Sequence, residues 1–78
     1  MKDNDKKLLA ILKKFLNGDI DFWELDGLWI DHYIEETEDF YYDNLFTEIS
    51  EFIYMGEKEL KIKIGDEIKK YPELKEYL

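Results

Sequence analysis

The chain predicts an all-α fold: one domain over residues 1–78, arranged as an antiparallel up-down four-helix bundle. Three observations predict it. Apolar side chains recur at three- and four-residue spacing through four successive segments, as one buried helix face requires. Short polar or glycine-bearing connections separate these segments, which favours antiparallel neighbours. The one strand-like alternation, Leu60, Ile62 and Ile64, has no second strand to pair with.

The first helix is expected from about Asp5 to Asn17. Leu8, Leu9, Ile11, Leu12, Phe15 and Leu16 make its apolar face, with Lys6, Lys13 and Lys14 opposite. Gly18 ends it, because only glycine takes a left-handed backbone without strain. The second helix starts at Asp21, which forms an Asp version of the capping box with Glu24, and runs to about Glu35. Phe22, Leu25, Leu28, Trp29 and Tyr33 form its stripe, and Trp23, Ile30 and Ile34 widen it beyond simple one-sided packing. Either this helix is central in the bundle or part of its apolar surface is left for a partner.

After the polar break Glu35-Glu36-Thr37-Glu38, a third helix spans about Glu38 to Met55. Tyr41, Tyr42, Leu45, Phe46, Ile49, Phe52 and Ile53 make its buried face, with Phe40 and Tyr54 at the edge of the polar side. Gly56 terminates it. The last helix, about Lys58 to Lys70, carries Leu60, Ile64, Ile68 and Tyr71 on one face, interrupted by Gly65. Pro72 lacks an amide donor and breaks it, leaving a short terminal turn through Leu78.

Composition narrows the function. Seventy-eight residues bury a limited share of their surface, so the core has to be dense, and thirteen aromatic side chains supply that density. With no cysteine, disulfides, thiolate metal sites and cysteine nucleophiles are excluded. The lack of disulfide staples, of a signal-like apolar run near Met1–Lys7 and of a membrane-length apolar stretch predicts a cytoplasmic protein. A net charge of −9 without any arginine disfavours nucleic acid and anionic membranes as partners.

The charge is also segregated. Every lysine lies in Lys2–Lys14 or Lys58–Lys75, whereas the stretch from Phe15 through Glu57 holds thirteen Asp or Glu and no lysine. A surface that only had to be soluble would mix its signs. The same stretch holds ten aromatic residues between Phe22 and Tyr54. Aromatic anchors rimmed by carboxylates suit a tight interface with a basic partner.

Catalytic and metal motifs are weak by comparison. His32 has Asp31 and Glu36 within helical reach but lacks the second histidine of a zinc-binding H-E-x-x-H helix. Asn17-Gly18-Asp19-Ile20-Asp21 alternates oxygens like a calcium loop, yet Phe22 and Leu28 occupy the positions that need glycine and a bidentate glutamate. Ser50 sits in no nucleophile motif, and carboxylate pairs are too abundant to single one out. Neither an enzyme nor a metal or organic cofactor is expected.

Leu8-Leu9, the run Phe15-Leu16-Asn17-Gly18-Asp19-Ile20-Asp21, an aromatic at Trp29 or Tyr33, and Asp43-Asn44-Leu45-Phe46 followed by Ile49 resemble the colicin D immunity-like family. The resemblance covers roughly the first 55 residues, and the sequence beyond Gly56 departs from it. It implies a small helical bundle that neutralises a ribonuclease toxin, including toxins of contact-dependent inhibition systems, by occluding the toxin's basic cleft.

The expected function is therefore an immunity protein, or antitoxin, forming a 1:1 complex with a basic, tRNase-like nuclease domain. Its contact surface is Asp31, Glu35, Glu36, Glu38, Asp39 and Asp43 as phosphate surrogates, with Trp23, Tyr42 or Tyr54 as anchors. Two alternatives stand beside it. One is an acidic nucleic-acid mimic that blocks a DNA-binding or RNA-guided effector. The other is a structural or regulatory bundle whose acidity serves solubility, with the wide arc of the second helix covered by a second copy.

Overall fold

A computed structural model describes residues 2–35 and 40–78, with the side chains of residues 34 and 35 left aside. It is all-helical: α1 (Asp3–Leu16), α2 (Phe22–Glu35), α3 (Asp43–Ile53) and α4 (Glu57–Lys70), followed by a 3-10 turn at Pro72–Glu76. No strand occurs among the described residues. The globule measures 27 × 27 × 21 Å, consistent with a four-helix bundle. α1 pairs with α2, and α3 with α4. Trp29 meets Ser50 and, one turn further along α2, Tyr33 meets Thr47, so α2 and α3 run antiparallel.

The helix ends follow local chemistry. α1 closes in a Schellman arrangement, with Gly18 at φ 81°, its amide on the Phe15 carbonyl at 3.1 Å and the Asp19 amide on the Lys14 carbonyl at 2.8 Å. The box at the start of α2 forms as expected: the Glu24 amide donates to Asp21 Oδ1 at 2.8 Å, and the Asp21 amide to Glu24 Oε1 at 3.3 Å. Gly56, at φ 100°, separates α3 from α4. Gly65 does not interrupt α4, because a Gly costs a helix interior only about 1 kcal/mol and buried Leu60 and Ile64 hold both sides of it in the core.

Two boundaries differ from the sequence reading. α1 begins at Asp3, and Asp5 is its third residue rather than its first. α3 begins at Asp43, five residues later than expected, with Tyr41 and Tyr42 in a turn ahead of it. One side chain links both differences. The Asp5 carboxylate, fully buried, accepts the Lys2 amide at 3.0 Å at its own helix start and, from the other side, the amides of Tyr41 and Tyr42, each at 3.0 Å. A charge taken out of water needs such partners, and backbone amides supply them.

The core is formed by Leu8, Leu9, Leu12 and Phe15 of α1, Leu25 and Trp29 of α2, Leu45, Phe46, Ile49 and Ile53 of α3, and Leu60 and Ile64 of α4. Leu74 of the terminal turn is also fully buried and closes one end. Leu16 and Leu28, expected on the inner faces, lie at the surface instead. Tyr41 is 67% exposed and is no part of the buried face of α3. Phe40 folds inward, stacking on Tyr33 at 5.7 Å and meeting Phe46 edge-on at 5.3 Å.

α3 and α4 are clamped by a charge cluster. Glu67, nearly buried, accepts Lys63 at 2.9 Å and Lys70 at 3.1 Å, and Lys63 also reaches Glu48 at 3.3 Å. The Lys63 ammonium lies 4.9 Å from the centre of the Phe52 ring. Burial alone would raise the Glu67 carboxyl, but the two lysines outweigh it and hold the group below its ordinary value. Glu67 in turn raises the Lys63 ammonium, against the opposing effect of burial.

Candidate interaction surface

α2 and α3 leave an apolar groove between them, a cavity of about 160 Å³ lined by Asp26, Trp29, Ile30, Tyr33, Ser50, Ile53 and Tyr54. Its floor is rigidly built. Trp29 Nε1 donates to Ser50 Oγ at 2.7 Å, and Ser50 donates onward to the Phe46 carbonyl at 2.7 Å. The Tyr33 hydroxyl pairs with Thr47 Oγ1 at 3.1 Å, and the Trp29 and Tyr33 rings stack at 6.3 Å. Ser50, which no nucleophile motif surrounded, therefore has a structural role: it satisfies the buried indole N–H.

The groove's lips are apolar and open. Tyr54 is 83% exposed and Ile30 is exposed as well. Trp23, 76% exposed, lies three and seven residues before Asp26 and Ile30 and so continues the same face of α2. Exposed Met55 adjoins Tyr54. The wide arc of α2 is thus partly core and partly surface: Leu25 and Trp29 are buried, while Trp23, Leu28 and Ile30 are not.

The expected contact residues divide as follows. Tyr54 lines the groove and Trp23 stands beyond it on the same face of α2, both largely exposed. Asp31, next to Ile30, is exposed on α2. Tyr42 departs from its expected role as an anchor: its ring is 6% exposed and packs in the core, and its hydroxyl donates to Glu73 Oε1 at 3.2 Å. Burial, then that carboxylate, push the Tyr42 phenol up to about 12. Asp43 lies at the other end of α3, beside Tyr42, in a separate cleft. Glu36, Glu38 and Asp39, with the side chain of Glu35, fall outside the described residues.

Among the described residues the acid that lines the groove is Asp26, half-buried in its wall, while Asp31 and Glu51 are exposed elsewhere on the same two helices. Asp26 was not singled out from the sequence, although its spacing from Trp23 and Ile30 puts it on their face. His32 is half-buried, and no group of three potential ligands stands ready for a metal among the described residues. Among those residues, no helix is long and apolar enough to cross a membrane. No family model, curated protein or solved structure matches the chain.

Proposed function

We propose that this protein is an immunity-type inhibitor that binds a basic partner protein, a nuclease toxin domain, through the α2–α3 groove and its acidic surroundings. One observation carries the reading. The open apolar groove, with Ile30 and Tyr54 exposed at its lips and exposed Trp23 two turns before Ile30 on the same face of α2, is lined wholly by residues of the stretch from Phe15 through Glu57 that contains no lysine. Exposed aromatics give affinity when a partner buries them, and the excess of acids in that stretch attracts a basic surface and keeps anionic competitors away. The resemblance to colicin D immunity-like proteins points the same way. Inhibition requires no chemistry from this chain, only a stoichiometric complex that covers the partner's RNA-binding cleft.

The test is reconstitution with the polypeptide encoded beside it in its genome. Association rate, dissociation rate and nuclease activity are measured on the purified pair at low and high salt. Trp23→Ala and Tyr54→Ala should speed dissociation and each cost about 2 kcal/mol of binding, without loss of helicity. Reversing charge at Asp31, Glu36, Glu38 and Asp39 should slow association and flatten its salt dependence. A complex that leaves the nuclease active, or one indifferent to both sets of changes, would refute the reading.

A further inference from the structure

At the opposite end of α3 from the groove lies a second cleft, of about 310 Å³, bounded by Tyr41, Tyr42, Asp43 and Asn44 at the helix start and by Tyr71 and Glu73 at the terminal turn. Its walls are three tyrosines, an amide and two carboxylates, without a basic side chain. The rings stand nearly at right angles: Tyr41 to Tyr42 at 80° and 4.8 Å, Tyr42 to Tyr71 at 90° and 5.4 Å. Perpendicular rings expose faces and edges together, and the faces carry negative charge density.

Two carboxylates repel an anion from such a space, and the Tyr42 hydroxyl, which donates to Glu73, adds no positive charge to offset them. The positive end of α3 would ordinarily disfavour a cation here. Asp5 already occupies the Tyr41 and Tyr42 amides, however, and Asp43 stands in the first helical turn. A divalent metal requires a shell of about six hard oxygens, and no group of three potential ligands stands together among the described residues. An ammonium group on an alkyl chain is satisfied by ring faces and a nearby carboxylate together, the combination by which aromatic cages hold lysine and quaternary amines.

We propose that the Tyr41–Tyr42–Tyr71 cleft, closed by Asp43 and Glu73, binds an alkylammonium cation. The source is either a lysine side chain presented by another protein or a free quaternary amine. This proposal stands apart from the groove reading, since Trp23, Ile30 and Tyr54 take no part in it.

The experiment follows the tyrosine ring resonances by NMR while the full chain is titrated with choline, with Nα-acetyl-lysine methylamide, and with 3,3-dimethyl-1-butanol, the neutral isostere of choline. The expected result is saturable shifts at Tyr41 and Tyr71 with a cation, and binding of the isostere roughly tenfold weaker. Tighter binding of choline identifies a free quaternary amine as the ligand class; equal or tighter binding of the lysine amide identifies a protein lysine. Glu73→Gln keeps an acceptor for the Tyr42 hydroxyl, and Tyr41→Ala removes an exposed ring. Each should weaken the cation roughly threefold to tenfold at unchanged helicity. Equal response to cation and isostere, or no saturable shift with either cation, overturns the proposal. That comparison on the unaltered chain decides it even if a variant fails to fold.

Discussion

Asp5 does the work of two caps with one carboxylate. It ties the start of α1 to the turn before α3, thirty-six and thirty-seven residues away, through the Tyr41 and Tyr42 amides. Removing it strands buried donors as well as losing charge-assisted bonds. Asp5→Ala should therefore cost about 3 kcal/mol, read as a lowered urea midpoint with an unchanged slope. Two other residues set the pH limits. The Tyr42 phenol is raised to about 12 in the fold, so its contribution is complete below the unfolded value of 10.0 and is lost as pH climbs from there towards 12. Tyr42→Phe should flatten the alkaline limb of a stability–pH curve. Glu67 is the mirror case. Its depressed native value stabilises the fold above the ordinary glutamate range and ceases to do so as pH falls through the native value, so Glu67→Gln should flatten the acid limb. None of these roles was legible in the sequence. Asp5, beside Asp3 in the first turn of α1, looks like any solvated helix acid until the turn at Tyr41 and Tyr42 is placed beside it.

At the scale of the element, the helices were legible and their edges were not. Periodicity located the four amphipathic segments because burial of one face dictates spacing whatever the neighbours are. It extended α3 through Tyr41 and Tyr42 because those rings keep the helical register, yet both amides donate tertiary hydrogen bonds to Asp5 and lie ahead of the helix. The groove was half legible. The excess apolar width of α2 left open a central helix or a free surface, and only packing shows that Trp29 turns in to Ser50 while Trp23 stays out. Glycine separates the two kinds of constraint. At Gly18, with φ 81°, an alanine must adopt a left-handed backbone, and Gly18→Ala should destabilise by about 1 kcal/mol. Gly65 lies in α4 with open space where a Cβ would go, and Gly65→Ala should stabilise by about 0.5–1 kcal/mol. Thermal melts of the two variants should move in opposite directions.

Over the whole molecule, the charge imbalance competes with the ion pairs that the imbalance leaves available. Twenty acids face eleven lysines, and the lysine-free middle cannot neutralise itself. Against that repulsion, the ion pairs among the described residues include Lys63 and Lys70 on Glu67, Lys63 on Glu48, and the exposed Lys61–Glu57 contact. Distance decides between them. At 0.01 M salt the screening length is about 30 Å. That exceeds the 27 Å extent of the globule, so every acid repels every other. At 0.15 M it is about 8 Å, which removes most long-range repulsion and spares contacts of near 3 Å at a buried carboxylate. Adding salt over that range should therefore raise the melting temperature by several degrees, the shift that about 1 kcal/mol produces in a domain of this size. The same screening should weaken any complex with a basic partner, because there the long-range field is attractive. Thermal melts and partner titrations across one salt series should thus run in opposite senses. A melting temperature that falls with salt would mean that the Lys63–Glu67 cluster outweighs the net charge.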